Sequence, residues 1–195
     1  MSGRLVLGIA GSPRRGGNSD LMLDAALTAA THVSARTERV VASSAGIGHC
    51  RACHACSRDG RCIQEDGMVA VYELLDTADA IVVATPVFFA TVPATLKALL
   101  DRCQPYWARR YVLGEPAPEH KRPGGLLIAA GGGDPYGHAC AEPPVRSALA
   151  VAGFKIEDVV VAEPVDASRD VLAKPEVLDE CRTLGARLGT AGRAG

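Results

Sequence analysis

The chain has 195 residues, of which 48% are hydrophobic and 22% charged, and its formal net charge at pH 7 is -1. This length suits one α/β domain, and the balanced charge lacks the basic excess with which proteins follow a nucleic-acid backbone. No apolar run approaches the ~20 residues that cross a bilayer, and the N-terminus enters a predicted strand directly, without a signal peptide. We therefore expect a cytoplasmic protein that binds neither nucleic acid nor a membrane.

The apolar run Leu5–Ala10 is typical of a strand buried on both faces of a parallel sheet. A loop of small and polar residues follows, and then an apolar-periodic segment for which Asn18 or Ser19 is the predicted N-cap. A strand, such a loop and a helix start together form an anion site. The side chains able to donate to a phosphate there are Ser12, Asn18, Ser19 and Arg14 or Arg15. The loop alone does not separate this site from an ordinary polar turn, and it matches neither GxGxxG nor a P-loop.

The predicted first helix ends near Val33, and a second predicted strand, 38–42, leads into an irregular segment, residues 43–67. An irregular segment of this length in a compact domain is usually functional or disordered. Four of the seven cysteines fall within thirteen residues of it, at Cys50, Cys53, Cys56 and Cys62. In a chain without a leader, this crowding favours metal or redox chemistry over structural disulfides.

The remaining sequence continues the alternation of strands and helices. Predicted strands are 80–84, 125–130 and 155–162, and predicted helices are 68–76 (with Asp66 as N-cap), 94–103, 144–152 and 175–188. Residues 104–122, rich in aromatic residues and arginine, either cover a ligand or partner subunit or cross solvent. We expect Asp101 and Arg102 to pair at a helix end. One domain, residues 1–188 with the 43–67 segment inserted, is predicted to end in a flexible tail, 189–195.

Five strands alternating with helices predict an α/β fold, a flavodoxin-like doubly wound parallel sheet with helices on both faces. Three loops, 11–19, 85–93 and 131–138, follow strand carboxyl ends. Ligands of such sheets bind at the carboxyl edge, where the strand order reverses. We therefore expect the three loops to meet on one ligand, with a phosphate at the first loop and a planar ring between the other two.

The sequence resembles the NADPH-dependent FMN reductase family in Gly11-Ser-Pro-Arg-x-x-Gly-Asn18-Ser19, Thr85-Pro-Val-Phe88-Phe89, Pro93, Leu96-Lys97 and Leu100-Asp101-Arg102. The resemblance covers nearly the whole chain. It implies a bound FMN whose phosphate contacts Ser12, Arg14, Asn18 and Ser19. It also implies an isoalloxazine ring between two loops, which contain Pro86, Val87, Phe88 and Phe89 and Gly131, Gly132 and Gly133. The flavin carries the redox chemistry, so no catalytic side chain is predicted.

Within that family, Cys50-x2-Cys53-x2-Cys56-x5-Cys62 resembles the compact cysteine motif of the iron-sulfur flavoproteins. This resemblance implies a [4Fe-4S] cluster beside FMN and single-electron exchange with ferredoxin-type carriers. Three thiolates of CxxCxxC can surround one face of a cubane, and a fourth cysteine closes it. A structural zinc site more often pairs two separated CxxC motifs. Similar reductases without a cluster leave free, disulfide-forming or oxidation-sensing thiols as the alternative.

The predicted function is therefore that of an FMN-dependent oxidoreductase, which moves electrons between FMN, the cluster and a carrier or small-molecule acceptor. NAD(P)H is a candidate co-substrate, and the sequence does not choose between NADPH and NADH. The resemblance implies that cluster and flavin lie close across a subunit boundary, in a homodimer or homotetramer. Two alternatives stay open: a cluster-free NAD(P)H-dependent FMN or quinone reductase, and a non-enzymatic thiol or zinc redox sensor.

Overall fold

A computed structural model describes residues 3–190 of the chain, which contain five strands and seven α-helices. The strands are β1 Leu5–Ala10, β2 Arg36–Val41, β3 Ala80–Pro86, β4 Arg122–Ala129 and β5 Phe154–Ala162. The helices are α1 Asn18–His32, α2 Cys56–Asp59, α3 Met68–Thr77, α4 Ala94–Asp101, α5 Gln104–Tyr111, α6 Glu142–Val151 and α7 Pro175–Thr190. Within residues 3–190, no helix combines the length and the apolar character needed to cross a bilayer.

The five strands form one parallel sheet in the order β2-β1-β3-β4-β5. This order confirms the predicted flavodoxin-like, doubly wound fold. The chain moves outward from β1 to β2 and then returns to the other side of β1, so the strand order reverses between β1 and β3. The register pairs Ala10 with Ala84 and Pro86 with Ala129. The carboxyl ends of β1, β3 and β4 therefore lie together at one edge of the sheet.

Alternate residues of the central strands face two separate helical layers. In β1, Leu7 and Ile9 pack with α3, α4 and α6, whereas Val6 and Ala10 pack with α1 and α7. The two layers explain why all six residues of β1 are buried. Helices α1 and α7 approach closely, and a Cβ at Gly185 would lie 1.9 Å from the carbonyl oxygen of Ala26. Glycine is therefore required at this contact.

Two helices lie where the sequence predicted irregular chain. Helix α2 is inside the 43–67 segment, and α5 occupies much of the predicted excursion 104–122. In α5, Tyr106 and Ala108 are buried, while Pro105 lies in the first turn, where proline is tolerated. The excursion is therefore partly a core-packed helix rather than a loop.

Other boundaries differ by a few residues. Strand β4 begins at Arg122 because the Arg122 N–H donates to the carbonyl oxygen of Gly153 at 2.9 Å, which extends the pairing with β5. Helix α7 continues through Gly189, which is buried against α1, to Thr190. The tail predicted from residue 189 was therefore placed too early, and residues 191–195 lie outside the described residues.

Candidate functional site

Four loops at the carboxyl edge of the sheet surround a cavity of about 130 Å³, here called the edge cavity. Its lining comes from the loop after β1, the loop after β3, the end of β4 with the residues beyond it, and the loop after β5. The cavity brings together eight of the residues that the sequence predicted for the cofactor site, namely Ser12, Arg14, Asn18, Ser19, Pro86, Val87, Phe88 and Gly131.

The start of α1 differs from the prediction. Gly17, not Asn18 or Ser19, is the N-cap. The Asn18 amide instead donates from Nδ2 to the carbonyl oxygens of Val165 at 3.3 Å and Ala167 at 2.9 Å. Both amide N–H groups are thereby used within the protein. Asn18 consequently fastens the loop after β5 to the first turn of α1, and its side-chain amide is not free for a phosphate.

The first loop nevertheless has the features of an anion site. The first-turn N–H groups of α1 have no carbonyl partner within the helix. The buried Ser19 hydroxyl and the Arg14 guanidinium form no hydrogen bond or ion pair with the residues that the structure describes. Asp20, the acidic residue of the first turn, pairs with Arg39, which offsets its negative charge. The arrangement is therefore suited to a phosphate group.

The loop after β3 is a tight reverse turn. Phe88 and Thr91 exchange backbone hydrogen bonds of 2.8 and 3.1 Å. Between them, Phe89 and Ala90 have positive φ angles of 48° and 62°, a conformation that L-residues rarely adopt. Phe88 lines the edge cavity, whereas Phe89 is 98% exposed and does not line it.

The glycine turn after β4 contributes less than predicted. Gly131 lines the edge cavity, but Gly132 and Gly133 do not. They have φ angles of 83° and 79° and reverse the chain toward His138. The Nδ1 atom of His138 lies 2.7 Å from Oε2 of Glu163. This pair lies at the same edge of the sheet, where β4 and β5 end.

Sequence reasoning missed the fourth loop. Val165, Asp166 and Ser168 line the edge cavity and follow β5. The sequence contained a signal for this loop, because β5 was predicted to end at the same edge of the sheet as the other strands. Pro164, Asp166 and Ser168 are also the small and polar residue types that mark the other three loops.

The 43–67 segment forms a second cavity of about 180 Å³, here called the cysteine cavity. Its lining includes all four predicted metal ligands, Cys50, Cys53, Cys56 and Cys62. In the part of the chain that the structure describes, none of these four forms a disulfide. Within the same residues, no three His, Cys, Asp or Glu side chains are arranged to hold one metal ion. The four cysteines therefore line one cavity as free thiols.

Arg102 fastens both ends of the cysteine segment. Its guanidinium, which is 1% exposed, donates from Nη1 to the carbonyl oxygen of Gly48 at 3.0 Å and to Asp66 Oδ2 at 2.6 Å. Gly48 precedes the cysteines and Asp66 follows them. The predicted pairing of Arg102 with Asp101 was wrong, because Asp101 pairs with Lys97 at 2.6 Å.

Further contacts hold the segment closed. A Cβ at Gly67 would lie 1.6 Å from the carbonyl oxygen of Ala45, so the two ends of the segment touch and only glycine fits. Arg109 of α5 donates from Nε to the carbonyl oxygen of Gly60 at 2.9 Å, just after α2. Helix α5, which the sequence did not predict, thus supports the wall of the cysteine cavity. Asp66 also accepts the backbone N–H of Met68 at 3.0 Å, but the N-cap of α3 is Gly67 and not Asp66 as predicted.

The thiols of the cysteine cavity differ in how readily they ionise. Burial raises the pKa of Cys56, and the neighbouring Cys62, Cys50 and Cys53 add to the increase. Burial also opposes ionisation of Cys62, but the backbone N–H of Gln64 and the charge of Arg102 more than offset it, so the pKa of Cys62 is lowered. Cys62 therefore ionises more readily than Cys56.

The other cysteines lie elsewhere. Burial raises the pKa of Cys103 to about 12 and that of Cys181 to about 12, as expected for thiols packed in the core. Cys140 is exposed. These three residues are not part of the cysteine cavity.

Residues 5–162 match the family model described as NADPH-dependent FMN reductase. An iron-sulfur flavoprotein from Archaeoglobus fulgidus is 37% identical over 130 residues, which are 67% of this chain and 56% of that protein. An iron-sulfur flavoprotein from Methanocaldococcus jannaschii is 31% identical over 152 residues, which cover 68% of this chain and 79% of that protein. The match thus spans little more than half the length of the Archaeoglobus relative.

Solved structures show the same fold. A flavone reductase superposes with a TM-score of 0.68 at 20% identity, over 96% of this chain and 62% of that chain. At this level of identity, the similarity concerns the fold alone.

Proposed function

The chain belongs to the NADPH-dependent FMN reductase family of flavin-dependent oxidoreductases, and we propose that it moves electrons between FMN, a [4Fe-4S] cluster and an acceptor. The observation that carries this proposal is that the four cysteines of the compact motif, Cys50, Cys53, Cys56 and Cys62, all line one cavity. Each iron of a cubane takes one thiolate, so its four ligands surround a space, whereas zinc requires all its ligands on one ion. The donor set therefore fits a cluster better than it fits zinc.

Cys50, Cys53, Cys56 and Cys62 are the proposed cluster ligands. When bound, a cluster of this type accepts and releases single electrons. Thiolates are the ligands it requires, and the lowered pKa of Cys62 favours that form. Cys56 is buried, so its position keeps solvent from one side of the cavity. The names of the two relatives, both iron-sulfur flavoproteins, support the same assignment.

The edge cavity is the proposed FMN site. Ser12, Arg14, Ser19 and the first-turn N–H groups bind the phosphate, and Asn18 acts by fastening the loop after β5. The loops after β3 and β4 flank the isoalloxazine, with Phe89, Gly132 and Gly133 at their outer parts. FMN supplies hydride or single-electron chemistry when bound. The task of the protein residues is to bind the ring, orient it and exclude water, so no side-chain acid or base is required.

An assembly of two or four copies is part of the proposal. Among the described residues, the edge cavity and the cysteine cavity have no lining residue in common. Large apolar side chains are exposed on the elements that line each cavity. Phe89 is 98% exposed in the loop that lines the first, and Trp107 and Tyr111 are 41% and 62% exposed on α5, whose first residues line the second. A second copy that covers these side chains would bring the cluster of one subunit toward the FMN of the other. Sedimentation equilibrium tests the assembly.

The acceptor is proposed to be a ferredoxin-type carrier or a small molecule, with NAD(P)H as the hydride donor. Protein purified without oxygen should show flavin absorption over a broad shoulder, with about four iron and four sulfide per chain. Cys53→Ser should lose iron and keep FMN. Cys140→Ser is the matched control, because both residues are exposed cysteines and only Cys53 lines the cysteine cavity.

The alternatives predict other results. Bound FMN with rapid NAD(P)H oxidation, but no iron even after anaerobic reconstitution, would reject the cluster and leave a cluster-free FMN or quinone reductase. A colourless chain that binds zinc, takes up no FMN and changes its assembly on thiol oxidation would favour the redox sensor.

A further inference from the structure

We propose that Arg102 is a positioning residue for the cluster. Arg102 closes the cysteine segment, and its charge and free Nε–H raise the cluster's reduction potential. This inference rests on the proposed function, since it concerns a cluster in the cysteine cavity. It assigns a role to a buried cation that the family's cysteine motif does not contain.

Hydrogen bonds join Arg102 to both ends of the cysteine segment, and its side chain also lines the cavity inside that segment. Nη1 contacts Gly48 and Asp66, and Nη2 donates to Asp66 Oδ1 at 3.1 Å. The hydroxyl of Tyr72 donates to the Arg102 carbonyl oxygen at 2.6 Å and fixes the backbone just after α4. The Arg102 side chain lies in the wall of the cysteine cavity, alongside Cys62. Its orientation is therefore set from the protein side before any cluster binds.

The Nε–H of Arg102 is the unexplained donor at this site. It is fully buried and has no hydrogen-bond partner among residues 3–190. A buried N–H of a charged group is costly to leave without an acceptor. The side chain shares its cavity wall with four cysteines. A thiolate or a bridging sulfide of a cluster is an acceptor that would satisfy this donor.

The charges of Arg102 and Asp66 determine the direction in which each residue shifts the reduction potential of the cluster. A cluster becomes more negative when it gains an electron, so a nearby cation and an N–H donor stabilise the reduced form and raise the potential. Asp66 belongs to the same ion pair and has the opposite charge. Because hydrogen bonds from Arg102 hold the pKa of Asp66 at about 2, its carboxylate is ionised near neutral pH and partly offsets the cation.

Removing each member of the pair should therefore move the potential in opposite directions. The test compares Arg102→Met, which removes the cation, with Asp66→Asn, which removes the anion and keeps the shape. The readouts are the cluster midpoint potential, from EPR-monitored anaerobic titration with dithionite, and the iron and FMN contents. We expect a lower potential in Arg102→Met, a higher potential in Asp66→Asn and unchanged FMN content in both.

A purely structural role predicts a different pattern, because both substitutions break the same ion pair. Potentials that stay at the wild-type value, or that shift in the same direction, would overturn the inference while leaving the cluster in place. Arg102→Lys covers the case in which Arg102→Met holds no iron: it keeps the charge but loses the Nε–H, so its potential should fall below wild type while that of Asp66→Asn rises. Wild-type protein that takes up no iron on reconstitution would instead contradict the proposed function itself.

Discussion

Asn18 and Val171 are 153 positions apart in the chain and are joined by a hydrogen bond of 3.1 Å from the Val171 N–H to Asn18 Oδ1. Through Nδ2, the same side chain holds the carbonyl oxygen of Ala167 at 2.9 Å. One amide therefore fixes the fourth loop of the edge cavity against the first turn of α1. Asn18 therefore contributes both to the stability of the fold and to the shape of the candidate FMN site.

Asn18→Ala should consequently impair both properties. We expect it to lower the free energy of unfolding by about 1 to 3 kcal/mol, because the backbone groups of Val165, Ala167 and Val171 lose their partner, and to weaken FMN binding. Ser19→Ala should weaken FMN binding by about tenfold, while the Tm of the apoprotein stays the same, since its hydroxyl makes no hydrogen bond within residues 3–190. Fluorescence titration with FMN and thermal unfolding measure both effects. An equal loss of Tm in the two variants would contradict this assignment.

Arg14 should recognise the phosphate rather than the ring. Its guanidinium lines the edge cavity, whereas that of the neighbouring Arg15 does not. Arg14→Gln should weaken FMN binding by about tenfold or more, because a charge-assisted contact is lost, and should leave riboflavin binding unchanged. Arg15→Gln serves as the control and should bind both ligands as the wild type does. If Arg14→Gln weakened both ligands equally, the phosphate would lie elsewhere.

The sheet and most of the edge cavity could be predicted from local patterns. Leu5–Ala10 and residues 80–84 are buried runs, and the loops that follow them contain the small and hydroxyl residues of an anion site. What local patterns did not supply were contacts between distant segments. The loop at 165–168 joins the site through Asn18, and neither partner shows this in its own sequence neighbourhood.

The pairing of Arg102 shows the same limit at the cysteine segment. Asp101 and Arg102 are adjacent, but adjacent residues on a helix point in different directions, so they do not face each other. Lys97, four residues before Asp101, lies on its side of α4, and Arg102 turns inward to Asp66. The helical spacing could have predicted the pair of Lys97 and Asp101. The pair of Arg102 and Asp66 depends on the path of the 43–67 segment, which has no periodic pattern.

Arg122 should be a major contributor to stability. It donates to the carbonyl oxygens of Leu75 at 2.7 Å and Ala152 at 2.7 Å, and its guanidinium carbon lies 3.8 Å from the ring centroid of Phe154. It thereby joins the ends of α3 and α6 to the sheet. Arg122→Met should lower the free energy of unfolding in urea by about 3 kcal/mol. Arg36→Met, at an exposed pair, should change it by less than about 0.5 kcal/mol.

Acid should destabilise the protein through Asp66. Hydrogen bonds from Arg102 lower its pKa from 3.8 to about 2 in the folded state. A carboxyl whose folded pKa is depressed adds stability that is present above its unfolded pKa, near 4, and that disappears as the pH falls toward 2. In a Cys53→Ser background without the acid-labile cluster, adding Asp66→Asn should reduce this loss between pH 4 and pH 2 by about 1 kcal/mol. Identical pH profiles of unfolding would show that the carboxyl is not paired.

Removing the cluster should leave FMN in place. The two cavities have separate linings, and within residues 3–190 different side chains hold each one: Asn18 fastens the edge cavity, and Arg102 fastens the cysteine cavity. Sites without shared partners behave almost independently, so anaerobic oxidation and chelation of the iron should change the Kd for FMN by no more than about twofold. The treated protein should still accept hydride from NAD(P)H, but should lose single-electron transfer to a ferredoxin-type carrier. Loss of FMN together with the iron, in protein that keeps its circular dichroism, would mean that one site depends on the other.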